Sequence, residues 1–356
     1  MNVPLSVNPT VDNNTEKLKI WFDNEEEIID APIKPYYYAF ERLSNTAKIS
    51  KIDKKALSDY QPKTFLKYEF KTRSELVKYR VKGKTFEDNI PFVLRNRLDN
   101  PDIYVDFPHT NKLKFLFLDI EQYIKPEKMS PIYNDRIISI AWCGNDRKIK
   151  CAYLTKERKD DRKLLEMFIE DYRRIDPDVI VCYNKKYDVP TILRRCKQVN
   201  IDTTQFSKNG SKPFMGGKEA VNIGGVVVYD VYLSAKADQS LNGNVANRGL
   251  KAVSDYFGFE KVIEPLDTKQ THKYVGTKEL VKYNRDDVKR LLLLFDIYWS
   301  NIEFNANDLK IPLNTALELN TTDLGIVVMG DEYRKDGIIA DGTNYYRFPE
   351  IFQVKR

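Results

Sequence analysis

Apolar residues fill both alternating faces of residues 112–122, Lys-Leu-Lys-Phe-Leu-Phe-Leu-Asp-Ile-Glu-Gln, until the run closes on two acids. A strand that is apolar on both faces is one covered by helices on both sides, as in an α/β layer. Successive strand side chains alternate faces. Asp119 and Glu121 therefore point the same way at the end of the strand, while Ile120 points into the core. Downstream, buried strands alternate with amphipathic helices. Strands are predicted over 136–144 and 148–154, joined as a hairpin by the turn Gly144-Asn145-Asp146. Leu164, Leu165, Phe168, Ile169 and Tyr172 recur at helical spacing in 161–175, a helix that Asp176-Pro177-Asp178 stops. A short buried strand, 179–182, leads into Tyr183-Asn184-Lys185-Lys186-Tyr187-Asp188 and a helix opening at Pro190, since proline suits the first helical turn. Residues 202–225, rich in Gly, Ser, Asn and Lys, read as a mobile loop. A strand over 226–231 ending near Asp230 and helices over 247–257 and 278–298 complete the layer.

Upstream the pattern is short-ranged. Residues 1–17 are polar, hold Pro4 and Pro9, and are expected to form a loose lead-in. Residues 18–110 carry β-prone runs at 18–22, 35–40 and 64–70 and read as a smaller, mostly-β domain, with 51–55 as a solvated charge run. The layer occupies 111–304. Residues 305–356, broken by Pro312 and by Gly325, Gly330, Gly337 and Gly342, read as a connection built of shorter pieces.

Composition adds bounds. A chain of 356 residues with 42% hydrophobic content can bury about two or three domain cores. The net charge of +6 suits a polyanionic partner and equally a plain solvated basic surface. Cys143, Cys151, Cys182 and Cys196 lack C-x-x-C spacing and read as core residues in a reducing compartment. His109 and His272 are the only histidines, which argues against a zinc site or a histidine-based nucleophile. No stretch is long and apolar enough for a membrane span and no signal pattern opens the chain, so a soluble, cytoplasmic protein is expected.

Two carboxylates on one strand face repel each other, and a hard divalent cation with oxygen ligands relieves that repulsion. A lone D-x-E in an acid-rich chain arises readily as surface charge. The order of the other acids changes its weight. Asp188 follows the strand end at Tyr183-Asn184, and Asp287 lies in Tyr283-Asn284-Arg285-Asp286-Asp287 on the last helix. Tyr283 and Asp287, four apart, share a helix face, and Asp286 points about a quarter-turn away. Taken singly, Asp188 reads as a helix cap and Asp287 as an exposed helix acid.

With these segments in this order, the chain resembles the N-terminal and 3′→5′ exonuclease region of the family B DNA polymerases, of archaeal or viral type. The family's motifs D-x-E, Y-N-x(2–3)-(F/Y)-D and Y-x(3)-D match Asp119-Ile120-Glu121, Tyr183 to Asp188, and Tyr283 to Asp287. Flanking stretches agree: Pro35-Tyr-Tyr-Tyr-Ala39, Ile90-Pro-Phe92, Asp176-Pro-Asp-Val-Ile180, and Gly249-Leu-Lys-Ala-Val-Ser254 with Phe257-Gly258. Gln122 departs from the Thr or Ser that often follows D-x-E, which bears on how a terminal nucleotide is held. The palm motifs D-x-x-S-L-Y-P-S and Y-x-D-T-D are absent, so 305–356 reads as the approach to a missing palm domain, and this chain alone is expected not to polymerise DNA.

The resemblance implies an RNase H-like α/β exonuclease domain behind the mostly-β N-terminal domain. It implies two Mg²⁺ or Mn²⁺ ions held by Asp119, Glu121, Asp188 and Asp287, with Tyr283 orienting the attacking water rather than acting as a base. Substrate contacts are expected from Ile120, Asn184 and Tyr187, the last either stacking on the terminal base or serving as a core aromatic. Lys185, Lys186, Arg194 and Arg195 read as phosphate contacts or as a solvated helix face. Expected partners are single-stranded or frayed 3′ DNA ends, primer–template DNA, and a palm/thumb polypeptide or the remainder of the same chain. Two other readings stand beside this one: a non-catalytic template-binding and docking subunit of a split polymerase, and an RNA-directed nuclease of the same superfamily. Intact acids at all four positions argue against the first, and the N-terminal domain against the second.

Overall fold

The chain forms two units, Met1–Thr110 together with Asn305–Arg356, and Asn111–Phe304. A computed structural model describes residues 1–339 except 44–45, 57–61, 125–134, 158–159, 217–220, 261–265 and 320.

The first unit opens on an antiparallel sheet of β1 (Ser6–Asp12), β2 (Thr15–Phe22) and β3 (Glu25–Asp30). Most of residues 6–17 is thus strand and turn rather than a loose lead-in. The two turns are Asn13-Asn14 and Asp23-Asn24, all four residues at positive φ, the backbone that lets a two-residue hairpin follow the twist of its strands. Val7, Leu18 and Ile20 bury one face of this sheet against Phe92, Val93 and Tyr104.

A second sheet is built from β4 (Tyr36–Ala39), β5 (Lys48–Ala56), β6 (Pro62–Glu69) and β7 (Thr85–Phe86), with helices α1 (Arg73–Tyr79) and α2 (Phe92–Asp99). The expected charge run at 51–55 lies within β5, whose Ile52 packs on the cluster of Tyr36, Tyr38 and Phe65.

The second unit carries β8 (Phe115–Gln122), β9 (Ile137–Cys143), β10 (Lys150–Tyr153), α3 (Arg162–Ile175), β11 (Val179–Cys182), α4 (Asp188–Gln198), a hairpin of β12 (Phe214–Met215) and β13 (Val221–Asn222), β14 (Val227–Asp230), α5 (Val231–Ala237), α6 (Leu250–Tyr256) and α7 (Lys278–Asp308). Its main sheet has the order β10-β9-β8-β11-β14. The first three strands are antiparallel, and β8, β11 and β14 are parallel. The sheet is therefore mixed, with β8 at its centre. The described part of 202–225 holds a 3-10 turn at Thr203–Phe206 and the β12–β13 hairpin; residues 217–220 lie outside the described residues. The last helix runs ten residues past the predicted end.

Both faces of β8 are covered, as its composition requires. Leu116, Leu118 and Ile120 join the core with Leu165, Phe168 and Ile169 of α3. Phe115 and Phe117 meet Phe295 of α7 with ring centroids 5.0 and 4.9 Å away, and Phe115 meets Trp299 at 4.9 Å. Asp119 and Glu121 share that second face by alternation. The helix that buries the phenylalanines runs against the strand, so its earlier turns reach the acids.

Residues 305–339 form more than a connection. They contribute α8 (Leu313–Ala316), α9 (Thr321–Lys335) and β15 (Ile338–Ile339) to the first unit, where β15 pairs parallel with β5. Gly325 and Gly330, taken as breaks, lie inside α9. A Cβ at Gly330 would stand 2.6 Å from Leu98 Cδ2, so close packing of α9 on α2 explains the residue there. Arg334 of α9 donates to both oxygens of buried Glu87, at 2.8 and 2.9 Å, and to Asp99 at 2.7 Å, while buried Arg95 stacks on the Tyr36 ring at 4.0 Å. Among the described residues no helix is long and apolar enough to cross a membrane.

Removing Arg334 takes two charge-assisted bonds from Glu87, 1% exposed, and leaves it facing Arg95 at 3.4 Å. Arg334→Ala is expected to lower the opening free energy of the first unit by about 2–3 kcal/mol, the loss of charge-assisted bonds partly offset by Arg95. Hydrogen exchange at the amides of β4 and β6 measures this, and unchanged protection would show the network to be dispensable.

Candidate active site

At the end of β8, Asp119 and Glu121 project towards α7, and Asp287 projects back from α7. Oxygens of these three carboxylates all lie within 4.8 Å of one another. Asp119 and Glu121 are half-buried and Asp287 is buried. Asp188 is the first residue of α4, where its charge is favourable to the helix N-terminus, and is 5% exposed. It stands beside the trio rather than within it. Its charge raises the pKa of Asp119, and that of Glu121 raises its own.

Crowding and burial hold these groups towards their neutral forms. Asp119 is pushed well above the usual carboxylate range by burial, then by Asp287, Asp188 and Glu121. Glu121 is raised to about 8 by burial and Asp287, with Lys251 opposing. Asp287 reaches about 6, with burial raising it and Lys251 and Arg290 holding it down. Asp188 is raised by burial and then by Asp230, which ends β14 opposite Cys182 in the ladder.

Several side chains that the motifs alone did not single out organise the cluster. Lys251 of α6 lies 3.5 Å from Asp287 Oδ1 and sits over the Tyr283 ring, 3.5 Å from its centroid. Asn284 Nδ2 donates to Asp119 Oδ2 at 2.6 Å. Thr271 ties down the strand end, donating to the Gln122 carbonyl at 2.8 Å and accepting from Ile124 N at 2.7 Å. Asp230 caps α5. Lys251 and Asn284 did lie inside quoted stretches, and Asn284 is three residues from Asp287, hence on its helix face. Nothing local in the sequence marks Thr271. Asp286 turns away to bond Arg290 at 3.0 Å.

The other expected residues fall as follows. Tyr283 is buried, and burial and the neighbouring Asp287 push its phenol up, so it keeps its proton. The Tyr187 hydroxyl donates to Gln122 Oε1 at 2.6 Å, and Gln122, 2% exposed, donates to the Asp135 carbonyl at 2.7 Å. Gln122 thus acts on Tyr187, and the ring is anchored rather than free. Asn184 is exposed with φ +150°, a backbone region other residues rarely enter. Ile120 packs into the core at 5% exposure, which leaves its backbone as its contribution to any substrate contact. Arg195 is corrected: it pairs with fully buried Asp161 at 2.6 and 2.8 Å and is committed to the fold rather than to phosphate.

Residues 93–253 match the family model for the exonuclease domain of DNA polymerase family B. That segment contains Asp119, Glu121 and Asp188 and stops short of Tyr283 and Asp287. The chain is 28% identical over 220 residues to a DNA polymerase of Pyrococcus glycovorans, covering 57% of this chain and 27% of that one. It is also 28% identical over 185 residues to DNA polymerase 2 of Aeropyrum pernix, covering 50% and 22%. It spans about a quarter of the length of these relatives. A solved family B DNA polymerase from Pyrobaculum calidifontis superposes with a TM-score of 0.73 at 19% identity, over 95% of this chain and 51% of that one, a likeness of fold. The second unit is thus an RNase H-like exonuclease fold, and the unit before it is built on antiparallel sheets.

The raised carboxyls set a pH dependence. Ordinary aspartate and glutamate titrate at 3.8 and 4.5, whereas folded Glu121 holds its proton to about 8. The folded state therefore binds more protons than the unfolded chain in that window, and its stability falls as pH rises from about 4 to about 8. In chelator, Glu121→Gln is expected to flatten this slope and raise the melting temperature at pH 8 by several degrees. Calorimetry at pH 5 and pH 8 reads both, and a parent melting point independent of pH would contradict the crowding.

Proposed function

We propose that this chain carries the 3′→5′ proofreading exonuclease of a family B DNA polymerase, hydrolysing the terminal phosphodiester of an unpaired 3′ DNA end to release a nucleoside monophosphate. The observation that carries this reading is the meeting of Asp119 and Glu121 with Asp287, acids far apart in sequence, in a fold whose matched family is an exonuclease domain.

The donor set fits a hard divalent cation. All its atoms are carboxylate oxygens, and Asp287 Oδ1 is buried yet accepts no hydrogen bond of ordinary geometry. Asp119, Glu121 and Asp287 would hold one Mg²⁺ or Mn²⁺, with Asp188 beside them serving a second. When bound, such ions supply an acidified water for attack at phosphorus and offset charge on the phosphate and the departing 3′ oxygen.

The remaining roles belong to the chain's own side chains. Tyr283 keeps its phenolic proton and so donates a hydrogen bond to the attacking water or to a phosphate oxygen; it is no base. Lys251, held against the Tyr283 ring and Asp287, offsets the carboxylates' charge. Tyr187, fixed through Gln122, offers a rigid wall beside the acids for the terminal base, and exposed Asn184 is free to meet the strand's backbone. A paired terminus must fray to reach the acids, which favours mispaired ends. The proposed partners are frayed or single-stranded 3′ ends, primer–template DNA, and a palm and thumb carried elsewhere in the polymerase.

The test is digestion of a 3′-mismatched primer–template and a single strand, labelled internally, with Mg²⁺ or Mn²⁺. Stepwise loss from the 3′ end is expected, and the Asp119→Ala, Glu121→Ala double variant should lose roughly 10³-fold or more of the rate. A parent protein that binds the DNA and leaves it intact would replace this reading with a docking role.

A further inference from the structure

Asp119 ends a chain of hydrogen bonds that the reaction outlined above does not use. Asn284 Nδ2 donates to Asp119 Oδ2 at 2.6 Å, and Ser139 Oγ donates to Asn284 Oδ1 at 2.7 Å. Cys151 Sγ lies 3.2 Å from Ser139 Oγ. Ser139 and Asn284 are both at 0% exposure, so neither has water as an alternative partner. Ser139 faces Glu121 in the β8–β9 ladder, and Asn284 shares a helix face with Asp287. The elements flanking the acid-bearing strand face thus each supply one member.

The direction of the chain follows from proton counting. A serine hydroxyl has one proton, and Ser139 gives it to the amide carbonyl of Asn284, so the Cys151 thiol is the donor to Ser139 Oγ. With its carbonyl held there, Asn284 presents its N–H₂ end to Asp119. The opposite amide orientation would set a carbonyl oxygen against Asp119, a repulsive contact whenever that acid is ionised, as it must be to hold a cation. By occupying the amide carbonyl, Ser139 favours the orientation in which the acid meets the N–H₂ end of Asn284.

We propose that Ser139 and Asn284 are a positioning pair: they fix the Asp119 carboxylate by engaging Oδ2, leaving Oδ1 to a divalent cation. This rests on the metal-site reading above. Neither residue touches a reacting atom. Each acts through Asp119, Ser139 at one further remove, in the way that outer partners orient metal ligands.

The experiment is a Mn²⁺ titration of the full chain, by calorimetry and by loss of the free-ion paramagnetic resonance signal, with melting curves in chelator alongside. Asn284→Leu, which keeps the volume and removes the donor, is expected to weaken Mn²⁺ binding by about 10–100-fold. Ser139→Ala should weaken it by about 10-fold or less. The double variant should match Asn284→Leu alone, because Ser139 works only through Asn284. Parent-like affinity in Asn284→Leu, or losses that add in the double variant, would overturn the pairing, as would a fall in melting temperature with affinity unchanged. If Asn284→Leu fails to fold, Ser139→Ala decides: unchanged affinity refutes the pair. A parent that binds no Mn²⁺ removes the metal site and this proposal together, whereas a parent that binds while both variants match it removes the proposal alone.

Discussion

Mutual repulsion among carboxylates at the end of β8 is the constraint to which the surrounding structure answers. Asp119, Glu121 and Asp287 lie within a few ångströms of one another, with Asp188 adjacent, in a half-buried setting where water screens them less than at an open surface. Left alone, such a group would hold its protons or push its elements apart. The fold answers with fixed partners. Asn284 donates to Asp119, Lys251 stands by Asp287, and Arg290 draws Asp286 out of the cluster while lowering the pKa of Asp287.

Much of the packing that places Asn284 and Arg290 is apolar. Phe115 and Phe117 occupy the same strand face as the acids, and their contacts with Phe295 and Trp299 set α7 along that face. Burial of aromatic area does the docking, and the polar groups a few turns earlier on the helix inherit their placement from it. The other face of β8, with Leu116, Leu118 and Ile120, keeps the strand from shifting. A shift of one residue would turn both acids into the core.

Much of this was legible in the chain. The two-sided apolar run predicted a covered strand, alternation put Asp119 and Glu121 on one face, and four-residue spacing put Tyr283 with Asp287. What escaped reading depended on distance. Nothing near Lys251 says that a helix tens of residues earlier will lie over Tyr283, and nothing near Ser139 announces its bond to Asn284. Arg195 looked like any exposed cation because its partner Asp161 precedes it by helix α3 and strand β11. The N-terminal strand was missed because asparagine pairs signal a tight hairpin less loudly than glycine, and α9 because Gly330 reads as a break when it is a point of close approach.

The distance between Asp119 and Asn284, 165 residues, also has a meaning in time. During synthesis at roughly 5–20 residues per second, the acid pair of β8 leaves the ribosome on the order of ten seconds or more before the helix that balances it exists. Until then the strand's second face is aromatic and uncovered, and its two carboxylates are free to ionise in water. The assembled cluster is therefore a product of the second unit's last helix, and a nascent chain lacking α7 has the two acids of β8 without the site.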